Sequence, residues 1–250
     1  MFSALVWPVT ETRFKALTLD LWDTLVQEMP RKNPSLAELR VAEMRSQLSS
    51  YGYDYDADLM DRAYKLSGEY CDSVWAENRD MSTDEHLLYM LSSLDPLLAN
   101  RLRREEYAAI RRTYAEALLR KPPALMEEVA QTLDTLSSRG YALGLISNTG
   151  RTPGSTLRII LERMDVARFF DSMVFSDEVL VRKPEKKIFM SALRELGSSP
   201  AEALHIGNDP KDDFEGARLA GMSSLLLDRA AERKKSPEVV HSIAELADLL

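Results

Sequence analysis

The chain has 250 residues, a formal net charge of −8 and a single cysteine, Cys71, so no intrachain disulfide is available and nothing points to an oxidising compartment. With 45% hydrophobic and 29% charged residues it has the make-up of an ordinary globular protein, long enough for one large domain or a domain with a smaller companion. The acidic balance argues against a nucleic-acid binder, which carries a basic stripe, but leaves room for a small anionic substrate if a metal and a lysine reverse the field locally.

Residues 1–13 read as an arm or an extra edge strand. Their apolar start lacks a basic flank, and Pro8 and Glu11 interrupt it, so it is too short for a signal peptide or a membrane span and a cytoplasmic location is expected. Residues 14–21 predict the first central strand. Residues 26–34, polar with two prolines, read as a linker. The pattern is then helical to about Arg120. Asn33 is the expected N-cap, with Pro34 at the first helical position, of a helix that stops at Tyr51-Gly52. A second helix over 56–78 places Leu59, Ala63, Leu66, Tyr70 and Val74 on one face. A third begins near Thr83, capped by Ser82 or Thr83, and a fourth covers 101–120. Pro122-Pro123 marks a second linker. The expected organisation is therefore a core of 1–28 and 122–250 interrupted by a helical bundle at 29–121.

Past residue 124 the period changes. Helices are expected at 124–138, 155–164, 185–196, 212–220 and 237–249, and strands at 141–146, 173–175, 203–206 and 223–227. Repeated βα units imply an α/β fold, a Rossmann-like parallel sheet covered on both faces, with the helical bundle inserted after its first strand. Several stretches share one form, an apolar strand ending in polar groups: Leu19-Asp20, Ile146-Ser147-Asn148 and Ile206-Gly207-Asn208-Asp209. The Lys183-Pro184 region joins them. Ligands of open parallel sheets bind outside the carboxyl ends of the strands, so these groups are expected to share a site.

In order and spacing, Asp20-Leu21-Trp22-Asp23-Thr24-Leu25, Ser147-Asn148, Arg182-Lys183-Pro184 and the stretch from Gly207 to Ala217 resemble the four motifs of the haloacid dehalogenase superfamily. The helical insert sits where that family carries a helical cap. The resemblance implies Asp20 as nucleophile, Lys183 as the balancing cation and Ser147 as the hydroxyl that holds a phosphate oxygen. Asn148 would bind the phosphate, position Asp20 or shape the loop, and Thr24 would hydrogen-bond within the nucleophile loop. Arg151, just after the second motif, is a further candidate to face the cleft. From the insert, so are Arg31, Lys32 and Trp75. The implied cofactor is Mg2+, with Asp20 and the Trp22 carbonyl as ligands. Asn208 stands where the family usually has Asp, and Asp209 or Asp213 would carry the missing charge.

The main departure is Trp22. Phosphatases of the family usually place there a second Asp that protonates the leaving oxygen, and an indole transfers no proton. Asp23 is expected to aim elsewhere, and His205, within a strand, to be structural. Three functions follow: a Mg2+-dependent phosphatase of a small phosphate monoester, a metal-independent 2-haloacid dehalogenase, or a weakly active member with a binding role. The acidic fourth motif favours the first. A monomer or homodimer is expected, without nucleic-acid or membrane partners.

Overall fold

Ala16-Leu17-Thr18-Leu19 carries no charge and is buried residue by residue, as a central strand covered on both faces must be. It forms β1 (Ala16–Leu19) of the structure, a computed structural model that describes residues 14–28, 34–230 and 236–250. A short strand, β2 (Val26–Gln27), leads out of the core. The helical unit follows: α1 (Leu36–Ser50), α2 (Ala57–Trp75), α3 (Thr83–Leu94), α4 (Leu98–Arg101) and α5 (Arg104–Ala115), then a 3-10 turn over 116–120. β3 (Ala124–Leu125) returns the chain to the core. From there come α6 (Val129–Ser138), β4 (Ala142–Ser147), α7 (Gly154–Arg163), β5 (Ser172–Phe175), α8 (Ser176–Val179), α9 (Lys186–Glu195) and β6 (Ala203–Gly207). A π-type turn over 210–215, α10 (Gly216–Ala220), β7 (Ser223–Leu227), β8 (Val239–Val240) and α11 (Glu245–Leu249) complete the described order.

Among the described residues, six strands form one parallel sheet in the order β5-β4-β1-β6-β7-β8. The α/β, Rossmann-like class expected from the sequence is the one observed. Leu17, Leu19, Leu143, Leu145, Leu204 and Ile206 meet Val129, Leu133, Leu157 and Ile160 of the helices on one face. Ala16, Ile146, Val174 and Ala203 meet Ile188, Phe189, Ala192 and Ala217 on the other. The chain leaves β1 toward β4 and leaves β6 toward β7, so connections diverge at the β1/β6 boundary. That topological switch opens a crevice at the carboxyl ends of the two strands. Asp20 and Asn208 stand at its two lips, and the amide of Asp20 donates to the Ile206 carbonyl at 2.9 Å.

The helical unit has its own apolar centre, with Val41, Met44, Leu48, Met60, Leu87, Met90, Ile110 and Tyr114 buried together. Ser82 caps α3 as expected, with Glu85 closing a capping box. α1 is capped by Ser35 with Glu38, not by Asn33, which lies outside the described residues together with Arg31 and Lys32; Pro34 precedes the cap. The buried stripe of α2 is Met60, Ala63, Ser67, Cys71 and Val74, and Leu66 is 46% exposed. Small Ser67 and Cys71 form the close contact face, so residue size outweighs hydropathy there. The expected linkers are not independent strings, because β2 and β3 pair antiparallel, Val26 with Leu125 and Gln27 with Ala124. The expected helix over 237–249 is divided: Val239-Val240, β-branched, adds an edge strand beside β7, and α11 begins at Glu245. No described helix is long and apolar enough to cross a membrane.

His86 of α3 is buried against Cys71, whose Sγ lies 3.6 Å from Nδ1, and meets Tyr114 edge-on. Burial, aided by the Arg151 and Arg40 charges and opposed by Asp80, pushes its pKa down to about 4. The unfolded chain then takes up a proton below about pH 6.5 that the folded chain refuses until about 4. Stability is full above that window and lost as pH falls through it, by roughly 3 kcal/mol. Urea unfolding at pH 7 and pH 4.5 should show this loss in the native chain and a smaller one in His86→Gln.

Candidate active site

Three elements end at the crevice, and each delivers a polar side chain because its apolar strand stops there. β1 delivers Asp20, β4 delivers Ser147 with Asn148 behind it, and β6 delivers Gly207 and Asn208. Lys183 reaches the same point from the loop before α9. Its side chain is buried, and its Nζ donates to Asp20 Oδ1 at 2.5 Å, Asp213 Oδ1 at 2.6 Å and the Ile146 carbonyl at 3.0 Å. An ammonium has three N–H groups, so this one is saturated by its own site. One positive charge serves two buried carboxylates, and the two respond oppositely. Burial pushes Asp20 up to about 7, and the Asp213 charge adds to this while Lys183 opposes it. Burial also acts upward on Asp213, but Lys183 and the hydrogen bond from His205 outweigh it and hold that carboxyl well below the usual range. Lys183 would be lowered by burial, yet the two carboxylates raise it.

Behind this trio runs a buried relay. His205 is fully enclosed, and burial pushes its pKa down. The neutral ring must then carry its proton on Nε2, donating to Asp213 Oδ1 at 3.1 Å, while Nδ1 accepts from the Thr18 hydroxyl at 2.8 Å. His205 is the structural histidine expected from its position. Asp213 Oδ2 accepts from the Asp209 amide at 3.0 Å. The Asp209 carboxylate faces away and caps the following turn, accepting from the Lys211 and Asp212 amides at 2.8 and 2.7 Å. Of the two residues expected to carry the charge missing at Asn208, Asp213 is the one in the site, its oxygens accepting from Lys183, His205 and the Asp209 amide, while the Asp209 carboxylate caps a turn.

The remaining candidates divide. Thr24 is buried and its hydroxyl donates to Asn208 Oδ1 at 3.3 Å, joining the first motif to the fourth and not closing on its own loop. Asn148 spans two further stretches: its Oδ1 accepts from the Lys183 amide at 2.8 Å, and its Nδ2 donates to the Lys183 carbonyl at 3.1 Å and Asp212 Oδ2 at 3.0 Å. Of the three roles left open for it, shaping the loop is what these contacts do. Ser147 is buried, and its hydroxyl makes a long contact of 3.4 Å to the Asn148 carbonyl. Trp22 is half-buried against the apolar core, and Asp23 is exposed with φ 56°. Arg151 does not line the crevice: its guanidinium lies 3.7 Å over the Tyr64 ring, and Nη2 donates to the Tyr64 carbonyl at 2.8 Å, inside the helical unit. Gly68 makes room for it, since a Cβ there would stand 2.3 Å from Nη2. Trp75 does come to the core, where Arg182 stacks on its ring at 4.6 Å.

Among the described residues no three His, Cys, Asp or Glu side chains gather as a metal cluster. The candidate donors are nonetheless all oxygen: the Asp20 carboxylate, the Trp22 carbonyl and the Asn208 amide oxygen, which in this structure accepts from the Thr24 hydroxyl. This suits a hard cation that keeps several waters, such as Mg2+, and does not suit a soft one. With Asp20 ionised, the Asp20–Lys183–Asp213 trio has one excess negative charge, a second reason that the site fits a cation. Sequence reading missed Asp80 of the helical unit and the partner of Asn148 on Asp212; neither carries a local signal.

A family described as "Haloacid dehalogenase-like hydrolase" matches residues 53–227. The chain is similar to a phosphoserine phosphatase of Thermus thermophilus, 32% identical with 90% of this chain and 92% of the relative covered. It is also similar to a glyceraldehyde 3-phosphate phosphatase of Methanothermobacter thermautotrophicus, 36% identical over 54% of this chain and spanning 60% of that relative's length. In structure it resembles a 2-haloacid dehalogenase of Pseudomonas syringae pv. Tomato, with a TM-score of 0.65, 19% identity and 94% and 97% of the two chains covered, a likeness of fold.

Gly207 is forced by the trio: a Cβ at this position would stand 2.2 Å from Asp213 Cγ. Gly207→Ala should therefore displace Asp213 and cost about 1–3 kcal/mol, read as a lowered urea midpoint with an unchanged slope.

Proposed function

The chain belongs to the haloacid dehalogenase-like hydrolases, and from that membership we propose that it is a Mg2+-dependent phosphatase acting on a small phosphate monoester through an aspartyl-phosphate at Asp20. The observation that carries the reading is the shared ammonium of Lys183. With Lys183 shared between Asp20 and Asp213, burial leaves Asp20 only partly ionised near neutral pH, and more positive charge from the crevice side would complete its ionisation. Asp20, the Trp22 carbonyl and Asn208 would hold the Mg2+, and when bound it supplies the positive charge that keeps the nucleophile ionised and offsets the incoming phosphate. The relatives named above, called phosphatases of phosphoserine and of glyceraldehyde 3-phosphate, support a small phosphorylated substrate.

In this reading an Asp20 oxygen forms a bond to phosphorus as the ester P–O bond breaks. The alkoxide leaves and takes its proton from water, since Trp22 has none to give. Water then attacks the phosphoenzyme, releasing inorganic phosphate and the carboxylate. The Ser147 hydroxyl, only weakly engaged at 3.4 Å, turns to donate to a phosphoryl oxygen. Lys183 holds Asp20 in one rotamer for attack. The helical unit, residues 29–121, acts as a cap that closes over the core of 1–28 and 122–250 and excludes water. The enzyme works in the cytoplasm as a monomer or homodimer, in keeping with its buried free thiol. One observation favours a second reading, displacement of halide from a 2-haloacid: Trp22 is aromatic where an acid would stand, and halide leaves without one.

An aryl phosphate and 2-chloropropionate, each assayed with Mg2+ and with chelator, separate the two. Metal-dependent phosphate release is expected; chelator-resistant chloride release would replace the first reading by the second. Aryl esters should turn over on the order of 10²-fold faster than alkyl esters, the contribution a general acid would otherwise make. Asp20→Asn should abolish turnover and leave the fold intact.

A further inference from the structure

Asp80 lies in the loop between α2 and α3 of the cap, and its carboxylate is fully enclosed. Its two oxygens face different domains. Oδ1 stays with the cap, accepting from Trp75 Nε1 at 2.9 Å and from the Met81 amide at 2.8 Å. Oδ2 enters the core, accepting from Arg182 Nη1 at 2.7 Å and from the Ser176 hydroxyl, with Thr149 Oγ1 at 3.4 Å. Those core partners belong to the loops that carry the site. Thr149 follows Ser147-Asn148, Ser176 follows β5, and Arg182 precedes Lys183. Arg182 Nη1 also donates to the Thr149 carbonyl at 2.5 Å, so the second and third motifs meet on one guanidinium that the cap carboxylate holds. The backbone repeats the arrangement: Arg79 and Val181 form an antiparallel bridge, the Arg182 amide donates to the Asn78 carbonyl at 2.9 Å, and the Asp80 amide to the Leu180 carbonyl at 3.3 Å.

A buried carboxylate is retained only where charge and hydrogen bonds compensate its lost hydration. For Asp80 that compensation exists only with the cap on the core: withdrawing the cap strips Oδ2 of every core partner named above and leaves Arg182 without its counter-ion. We propose that Asp80 is a positioning residue that makes the placement of the Ser147–Thr149 loop and of Lys183 conditional on cap closure. Asp80 does not touch the reacting atoms. It fixes Arg182, and through it the backbone of Lys183, whose ammonium sets the rotamer of Asp20. Docking of the cap and assembly of the nucleophile are then one event.

The kinetic arm of the test rests on the phosphatase reading; the exchange arm does not. Asp80→Asn, Arg182→Gln and the double variant are compared with the native chain in aryl phosphate turnover with Mg2+ and in backbone hydrogen exchange. Asp80→Asn should lower kcat by roughly 10- to 100-fold with KM changed less than about threefold, the pattern of misplaced reacting groups. Exchange should rise over 147–153 and 176–184 while α1 and α5 keep their protection. Arg182→Gln should give the same loss and the double variant no further loss, since both act through one contact. Unchanged kcat, losses that multiply, or exchange rising only within the cap would each overturn the proposal. If Asp80→Asn does not fold, Ser176→Ala, which removes one core donor and keeps the ion pair, is read by the same criteria. A native chain that turns over no phosphate ester would sink the phosphatase reading, and the exchange experiment would then decide Asp80 alone.

Discussion

One ammonium between two carboxylates sets the terms for this molecule. Lys183 is held in place from three sides, and it in turn fixes which oxygen of Asp20 points inward and which points to the crevice. Once Asp20 ionises, the arrangement carries a net negative charge in a buried place, which proteins tolerate where a cation or substrate completes the balance. The division of labour between the carboxylates follows from their surroundings. Asp213 has Lys183, a neutral histidine and a backbone amide, so it keeps its charge. Asp20 has half of Lys183 and an open front, so its charge is conditional.

The sheet supplies the geometry that makes this possible. Parallel strands end together, and at the β1/β6 boundary the connections diverge and open a crevice at the strand ends. Around the crevice, short polar links tie the four motifs pairwise: Thr24 to Asn208, Asn148 to Lys183 and Asp212, and Lys183 to Asp20 and Asp213. Loops that would wander independently are braced into one frame, and the frame is braced by residues that need not touch a ligand.

Much of this was legible in the sequence because the information was local. Apolar runs ending in Asp20, Ser147 and Asn208 announce strand ends, and the alternation of strands and helices announces the parallel sheet. That Asp20, Lys183 and the Asn208–Asp213 turn would meet was expected from the resemblance of the ordered motifs. What was not legible depends on distant partners or on size. Asp80 reads as an ordinary loop aspartate, since its core partners lie 69, 96 and 102 residues away. The side chains of Asp209 and Asp213 are equivalent in sequence, and only the path of the turn decides that one is buried and the other caps. The face of α2 was misjudged because Ser67 and Cys71 are small and so mark a close contact, where hydropathy selects Leu66. The edge strand at Val239-Val240 was lost in a weakly periodic tail.

The pairing of β2 with β3 bears on how the two parts of the chain move. Both crossings between them run side by side as a hydrogen-bonded ribbon, Val26 with Leu125 and Gln27 with Ala124. Two strands so joined resist sliding past each other and resist splaying, but flex readily out of their common plane. Any motion of the helical unit relative to the core would therefore be confined to essentially one axis, like a leaf on a wide strap, and would return it to the same seat without a search over orientations.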